Sequence, residues 1–239
     1  MTLHRTTFLL GLTATLALAG TAHAEGLYGT ALIGQGFQAN DAEAYGNNIA
    51  VDPDFPGAFN AGDGMGGVIG LGYDFGSNLR LEGRLGFHNA EFDSTRTGTG
   101  ARNGEEYTLN GELKSKTLTV EAFYDVPTAS TFQPYVKAGV GVARNTYAAR
   151  LGGAGVAAFD AFDGAQDGYY DAYADTTTTE FTWNVGFGGS YAVNDQLSLV
   201  GEYQYVSLGN ARTGQDGFTD GFTVDAAAHE ILLGVRSSF

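Results

Sequence analysis

The sequence predicts an all-β fold, an eight-stranded antiparallel up-and-down transmembrane β-barrel preceded by a cleavable signal peptide. Three observations carry that prediction. Apolar residues alternate with polar ones at period two in stretch after stretch. Connections between these stretches alternate between tight turns and long loops. The composition, with 37 glycines, 13 tyrosines, 16 phenylalanines and only 4 prolines in 239 residues, suits many strands and turns rather than helices.

The elements follow in order. His4 and Arg5 precede an apolar run from Phe8 to Leu18, and Ala22-His23-Ala24 has the small-x-small form of a signal-peptidase site. Residues 1–24 are therefore expected to be removed on export, leaving 25–239 as the barrel domain. The run is shorter than the roughly 20 apolar residues of a membrane-spanning helix. Eight strands are then expected, at 27–37, 68–75, 79–88, 118–126, 136–142, 181–193, 197–205 and 229–239. In the third, Leu79, Leu81, Leu85 and Phe87 alternate with Arg80, Glu82, Arg84 and His88.

The links Gly76-Ser77-Asn78, Pro127 to Gln133 and Asn194-Asp195 read as hairpin turns. The others, roughly 38–64, 92–116, 146–179 and 207–225, read as long loops, beyond the lengths usual in compact soluble domains. All long loops then lie at one end and all tight turns at the other. An even strand number, strands of about 9–11 residues and an apolar outward phase form the pattern of a bacterial outer-membrane barrel. Hydrocarbon leaves no partner for an unpaired backbone group, so a sheet crosses it only by closing on itself. The alternative is a soluble barrel with its apolar phase inside. It explains less well why Tyr73, Tyr124, Trp183, Tyr191, Tyr203 and Tyr205 all share the apolar phase, as an interfacial aromatic girdle requires.

The stretches PYVKAGVGVARN (134–145), FTWNVGFGGSYAVNDQLSLVGEYQYVSLG (181–209) and HEILLGVRSSF (229–239) resemble the small outer-membrane β-barrel domains that include opacity-type surface proteins and the OmpA-like transmembrane domain. The resemblance spans about 27–239. It implies a place in the cell outer membrane among outer-membrane lipid and lipopolysaccharide. It also implies that the barrel-assembly machinery reads Phe239 as its signal. Ser237 and Ser238 depart from the family's usual ending, so Phe239 alone carries that match. No peptidoglycan-binding domain is expected after the barrel.

The polar phase collects a candidate lumen charge network of Arg80, Glu82, Arg84, Glu121, Lys137, Glu202, Glu230 and Arg236. His88, Asp125 and Gln204 share that phase. Eight strands leave an interior that side chains can fill, and charges there need partners. Glu121 and Asp74 are the expected partners of the arginines at 80 and 84. A structural plug is the leading reading, a narrow channel or porin the second, and a binding cavity the third.

A lipid-modifying enzyme needs a nucleophile with a base in reach. Only His88 and His229 follow residue 24, and no serine stands near either in a recognisable pattern with a glutamate. No catalytic residue is therefore expected. With no cysteine in the chain, neither disulfides nor thiolate metal sites are available. Asp160, Asp163, Asp167, Asp171 and Asp175 recur every three or four residues, yet lack the spacing of a calcium loop. They read as a solvated acidic loop, and no metal or cofactor is assigned. Arg96, Arg102, Lys114 and Lys116 fall in the expected second loop, within reach of lipopolysaccharide phosphates. After residue 24 there are 11 basic and 27 acidic residues, a formal charge of −16. Nucleic acid, whose binding rests on basic residues at phosphates, is excluded as a partner. A structural or adhesin-like surface role is the function expected.

Overall fold

The computed structural model describes residues 26–46, 51–153, 156, 168–170, 176–214 and 221–239. The expected signal peptide and Asp160, Asp163, Asp167, Asp171 and Asp175 lie outside the described residues. Among those described are strands β1 (Leu27–Gln38), β2 (Asp41–Tyr45), β3 (Ala58–Asn60), β4 (Asp63–Asp74), β5 (Leu79–Thr97) and β6 (Glu106–Asp125). They continue with β7 (Phe132–Gly153), β8 (Tyr169–Tyr170), β9 (Thr176–Ala192), β10 (Leu197–Arg212) and β11 (Gly221–Ser238).

Eight of these close a ring in the order β1-β4-β5-β6-β7-β9-β10-β11, with β11 pairing back onto β1 and every pairing antiparallel. A row of paired residues followed once around the ring starts at Tyr28 and passes Gly72, Glu82, Glu121, Gly139, Asn184, Val206 and Ala228. It returns to β1 at Gln38, ten residues further on. For eight strands that stagger fixes a tilt of about 40° and an interior filled by side chains.

The strands outrun the sequence expectation. The predicted loop 92–116 is mostly sheet, since β5 runs to Thr97 and β6 starts at Glu106. Strand β7 likewise runs to Gly153, into the predicted loop 146–179, and β10 reaches Arg212. Within the predicted loop 38–64, β2 pairs with β11 and β3 with β2, adding a small flap to the open end of the ring.

The physical reason is an inversion of polarity along strands whose pleat does not change. On β5 the inward residues are Arg80, Glu82, Arg84 and His88 near the tight turn, then Ala90 and Phe92 beyond it. The outward ones change from Leu81, Leu85 and Phe87 to Glu91 and Asp93. On β6 the outward face changes from Lys114 and Lys116 to Leu118 and Val120, while inward Leu109 and Leu113 give way to Thr117, Thr119 and Glu121. One half of the barrel is therefore apolar outside and polar inside, as hydrocarbon demands, and the other half is built like a water-soluble barrel. From Leu79 to Phe87 the apolar band covers roughly 20 Å of depth at this tilt, close to the ~25 Å of outer-membrane barrels.

Candidate functional site

In the membrane half the inward phase of six strands meets in a connected ionic network. Arg84 on β5 sits at its centre, 2% exposed. Its Nε donates to Glu82 Oε1 at 2.8 Å, and Nη1 and Nη2 donate to the two carboxylate oxygens of Glu202 at 2.8 and 3.2 Å. Nη1 also lies 3.3 Å from Glu121 Oε2. Lys137 on β7 bridges the same two acids, 2.8 Å from Glu121 and 2.7 Å from Glu202. Neutral donors complete the shell: Asn184 Nδ2 and Thr119 Oγ1 donate to Glu121 Oε1, and Tyr135 Oη to Glu202 Oε2. From Lys137 the chain continues through Gln204 to Glu230, whose Oε1 lies 2.6 Å from His88 Nδ1.

Nearer the tight turns Arg80 makes a bidentate pair with Asp125, at 2.7 and 2.8 Å, and donates to Tyr28 Oη. Its guanidinium and that of Arg84 both lie over the Phe123 ring, 4.6 and 4.9 Å from the centroid. The expected partner Asp74 is not used. Although paired in register with Arg80, it accepts the Gly76 amide in the β4–β5 turn, the local bond that favours Asp at such positions. Arg236, half-buried, forms no ion pair among the described residues and donates to Ser190 Oγ at 3.2 Å. Space for the carboxylates comes from glycine: a Cβ on Gly70 would stand 2.0 Å from Glu82 Oε1, and one on Gly66 2.5 Å from Glu230 Oε1.

In the other half the interior is mainly apolar. Ala42, Phe59, Leu109, Ala143, Tyr147, Leu208, Ala211, Phe222 and Ala226 are fully buried in one cluster. The flap delivers Phe55 and Phe59 to it, with the Phe59 ring 6.0 Å from that of Phe222.

Over this core the tip of β5–β6 is braced to the flap. Arg102 Nε donates to Asp52 Oδ2 at 2.8 Å, Nη1 donates to Tyr107 Oη, and Tyr107 donates in turn to Glu105. The Asp54 amide and Arg102 together hold the Asp52 carboxyl below its ordinary range. A carboxyl lowered by folding stabilises the folded form above its unfolded pKa, about 3.9, and loses that contribution as pH falls through the lowered value. Amide protection at Asp54 and Thr99 is therefore expected to hold from neutral pH down to about 4 and to fall below it. Hydrogen-exchange protection factors check this, and protection unchanged across that range would remove Asp52 from the brace.

Of the expected girdle, Tyr73, Tyr124, Trp183 and Tyr191 are exposed on the outward face, and Tyr203 and Tyr205 are half-buried there. Tyr73, Tyr124 and Tyr191 stand near the tight turns. Trp183, Tyr205, His229 and Tyr203 form one patch, with ring separations of 5.4, 5.2 and 6.0 Å. The Phe239 amide donates to the Leu27 carbonyl at 3.0 Å, placing the last residue at the β1–β11 closure.

The loop placement of the basic residues needs correction, and His88 has partners that its local sequence does not indicate. Lys114 and Lys116 lie on β6 and Arg96 on β5, not in a loop, because the sheet continues past the apolar band. His88 is not isolated. Thr117 Oγ1 lies 3.5 Å from its Nε2, Glu230 holds Nδ1, and Ser115 is its paired residue on β6. Chain closure brings together groups more than a hundred residues apart, which no local pattern could reveal.

Residues 8–239 match the family model described as the outer membrane protein beta-barrel domain. The outer membrane protein PagN of Salmonella typhimurium is 26% identical over 196 residues, covering 73% of this chain and 73% of that protein. The crystal structure of OprG from Pseudomonas aeruginosa aligns with a TM-score of 0.54 at 16% identity, over 90% of this chain and 96% of that one. That of Neisserial surface protein A aligns with a TM-score of 0.50 at 18% identity, over 90% and 97%. At those identities the structural likenesses show the barrel fold.

Proposed function

We propose, since this chain belongs to the outer membrane protein beta-barrel domain family, that it serves the cell outer membrane as a closed, non-enzymatic barrel with a structural and surface-interaction role. The observation that carries the reading is closure at two levels. The network around Arg84 fills the lumen within the membrane, and the core around Phe59 and Phe222 fills it beyond. Arg80, Glu82, Arg84, Glu121, Lys137, Glu202 and Glu230 act as the plug, and Arg236 borders it. What remains for recognition is the outer rim, carried by long strands on a rigid base.

The same closure argues against an enzyme. Thr117, His88 and Glu230 have the elements of a nucleophile, base and orienting acid, but all three are buried inside the wall. Catalysis needs a place for a reacting carbonyl beside both nucleophile and oxyanion donors, and burial of these three side chains works against a substrate reaching them. In this reading residues 1–24 direct export, Phe239 is read by the barrel-assembly machinery, and the aromatic patches anchor the barrel in the membrane interfaces.

Planar-bilayer recording tests the closed lumen. Purified protein is expected to leave the bilayer at baseline conductance, and discrete reproducible steps would replace this reading with a narrow channel. The surface role is read on immobilised glycans and matrix proteins: retention lost on exchanging residues 98–105 supports it, and no retention on either class removes the adhesin arm. Deleting Phe239 is expected to reduce assembled barrel in outer membranes severalfold without changing synthesis. Levels unaffected by the deletion would remove Phe239 as the assembly signal.

A further inference from the structure

We propose that the outward face of β6, β7 and β9 binds a phosphorylated glycolipid of the outer leaflet, through Lys116 and Arg144 at its phosphate and the Ala122–Ala138 dent at an acyl chain. The case begins with where the few cations go. Of the 11 basic residues after residue 24, Arg80, Arg84 and Lys137 are ion-paired in the lumen, Arg236 is beside them, and Arg102 is in the tip brace. Lys114, Lys116 and Arg144, by contrast, stand exposed and adjacent on the outer wall.

Lys116 and Arg144 are direct register partners on β6 and β7, so their side chains leave the same face side by side. Neither forms an ion pair among the described residues, whereas Lys114 is tied to Glu112. Thr179 is the next residue in their row, and the hydroxyls of Thr146 and Thr177 are bonded at 3.0 Å in the row beyond. The position is as telling as the charge. Leu118, Val142 and Phe181 occupy the next row toward the membrane, so the cations sit at the first step above the apolar band, where lipid phosphates lie.

Below them the wall is dented. Ala122 and Ala138 are register partners, framed by Leu81, Val120, Val140 and Trp183, and form an apolar depression on the lipid-facing surface. From Lys116 to Ala122 is about 20 Å along the strand, which at the barrel's tilt is about 15 Å of depth, the reach of an acyl chain hanging from a headgroup at the cations. The part of the chain after residue 24, with 11 basic against 27 acidic residues and a formal charge of −16, is repelled by an anionic leaflet, and paired cations at phosphate depth offset that repulsion. The guanidinium supplies a fork suited to phosphate. A soluble anionic glycan would share the cations but has no use for the dent.

The test is retention of bis-phosphorylated lipid A by the purified full-length barrel, read by native mass spectrometry, with the deacylated phosphorylated backbone as second probe. Each cation at an anionic surface contributes about a factor of five, so the K116Q/R144Q double variant is expected to retain lipid A about thirtyfold less. Arg96→Gln retains it fully. Ala122→Phe, which fills the dent, lowers retention of lipid A and leaves the deacylated probe unaffected. Lys116, Arg144 and Ala122 face outward, so the double variant and Ala122→Phe should keep heat-modifiable migration, which separates loss of the site from loss of the barrel. Unchanged retention in the double variant overturns the proposal. So does equal binding of both probes with Ala122→Phe silent, which would assign the cations to a soluble glycan.

Discussion

Arg84→Ala is expected to destabilise the barrel by about 3–5 kcal/mol, the cost of removing one partner from a buried ionic group. Three carboxylates, Glu82, Glu121 and Glu202, face the Arg84 guanidinium at 2.8–3.3 Å. Without it Lys137 is the one cation among the described residues left to hold Glu121 and Glu202, and Glu82 loses its ion pair. Glu82, Arg84, Glu121, Glu202 and Lys137 are all buried, and Phe123 lies against both arginines. Arg84→Lys keeps the charge but not the planar fork that serves Glu82 and Glu202 together, so an intermediate loss is expected. Replacing Glu202 by Gln should cost less than Arg84→Ala, since Arg84 and Lys137 keep Glu121 as a partner. Equilibrium unfolding in urea from lipid vesicles, with gel migration as a second probe, reads all three. A loss below about 1 kcal/mol for Arg84→Ala would mean that the network is solvated rather than buried.

The membrane half of this fold is legible in the sequence because lipid imposes one rule on every strand. Leu79, Leu81, Leu85 and Phe87 had to share a face, and Arg80, Glu82 and Arg84 the opposite one. The extracellular half obeys the opposite rule, so a reader looking for outward apolar residues loses the strand where polarity inverts. The signal was nonetheless present. Alternation continues through Ala90, Phe92, Leu109 and Leu113 at unchanged parity, and following parity rather than hydrophobicity would have extended β5 and β6.

Partner choice was less accessible. Asp74 and Asp125 both flank Arg80 in register-adjacent strands, and local turn chemistry takes Asp74 out of contention. The aromatic members of the network, Phe123 and Tyr135, had a visible mark as large rings in the polar phase of their strands. The link from His88 to Glu230 had none, because it depends on ring closure between β1 and β11. Residues 88 and 230 meet only when the stagger of the whole barrel is known.

Phe222→Ala tests the second level of closure. Its ring is fully buried against Phe59, and truncating such a residue costs about 3–5 kcal/mol. That loss should fall on the extracellular half, because the cluster holding Phe222 is separate from the one holding Phe123 and Tyr135. Strand β2, which pairs with β11 beside Phe222, is expected to open first. Limited proteolysis should then cut between β1 and β4, while the membrane half keeps its heat-modifiable migration. Conductance gives the sharper reading. If each level closes the lumen by itself, neither Arg84→Ala nor Phe222→Ala alone conducts, and only the double variant shows discrete steps. Steps from Arg84→Ala alone would mean that the apolar level leaks and that the ionic plug is the single barrier.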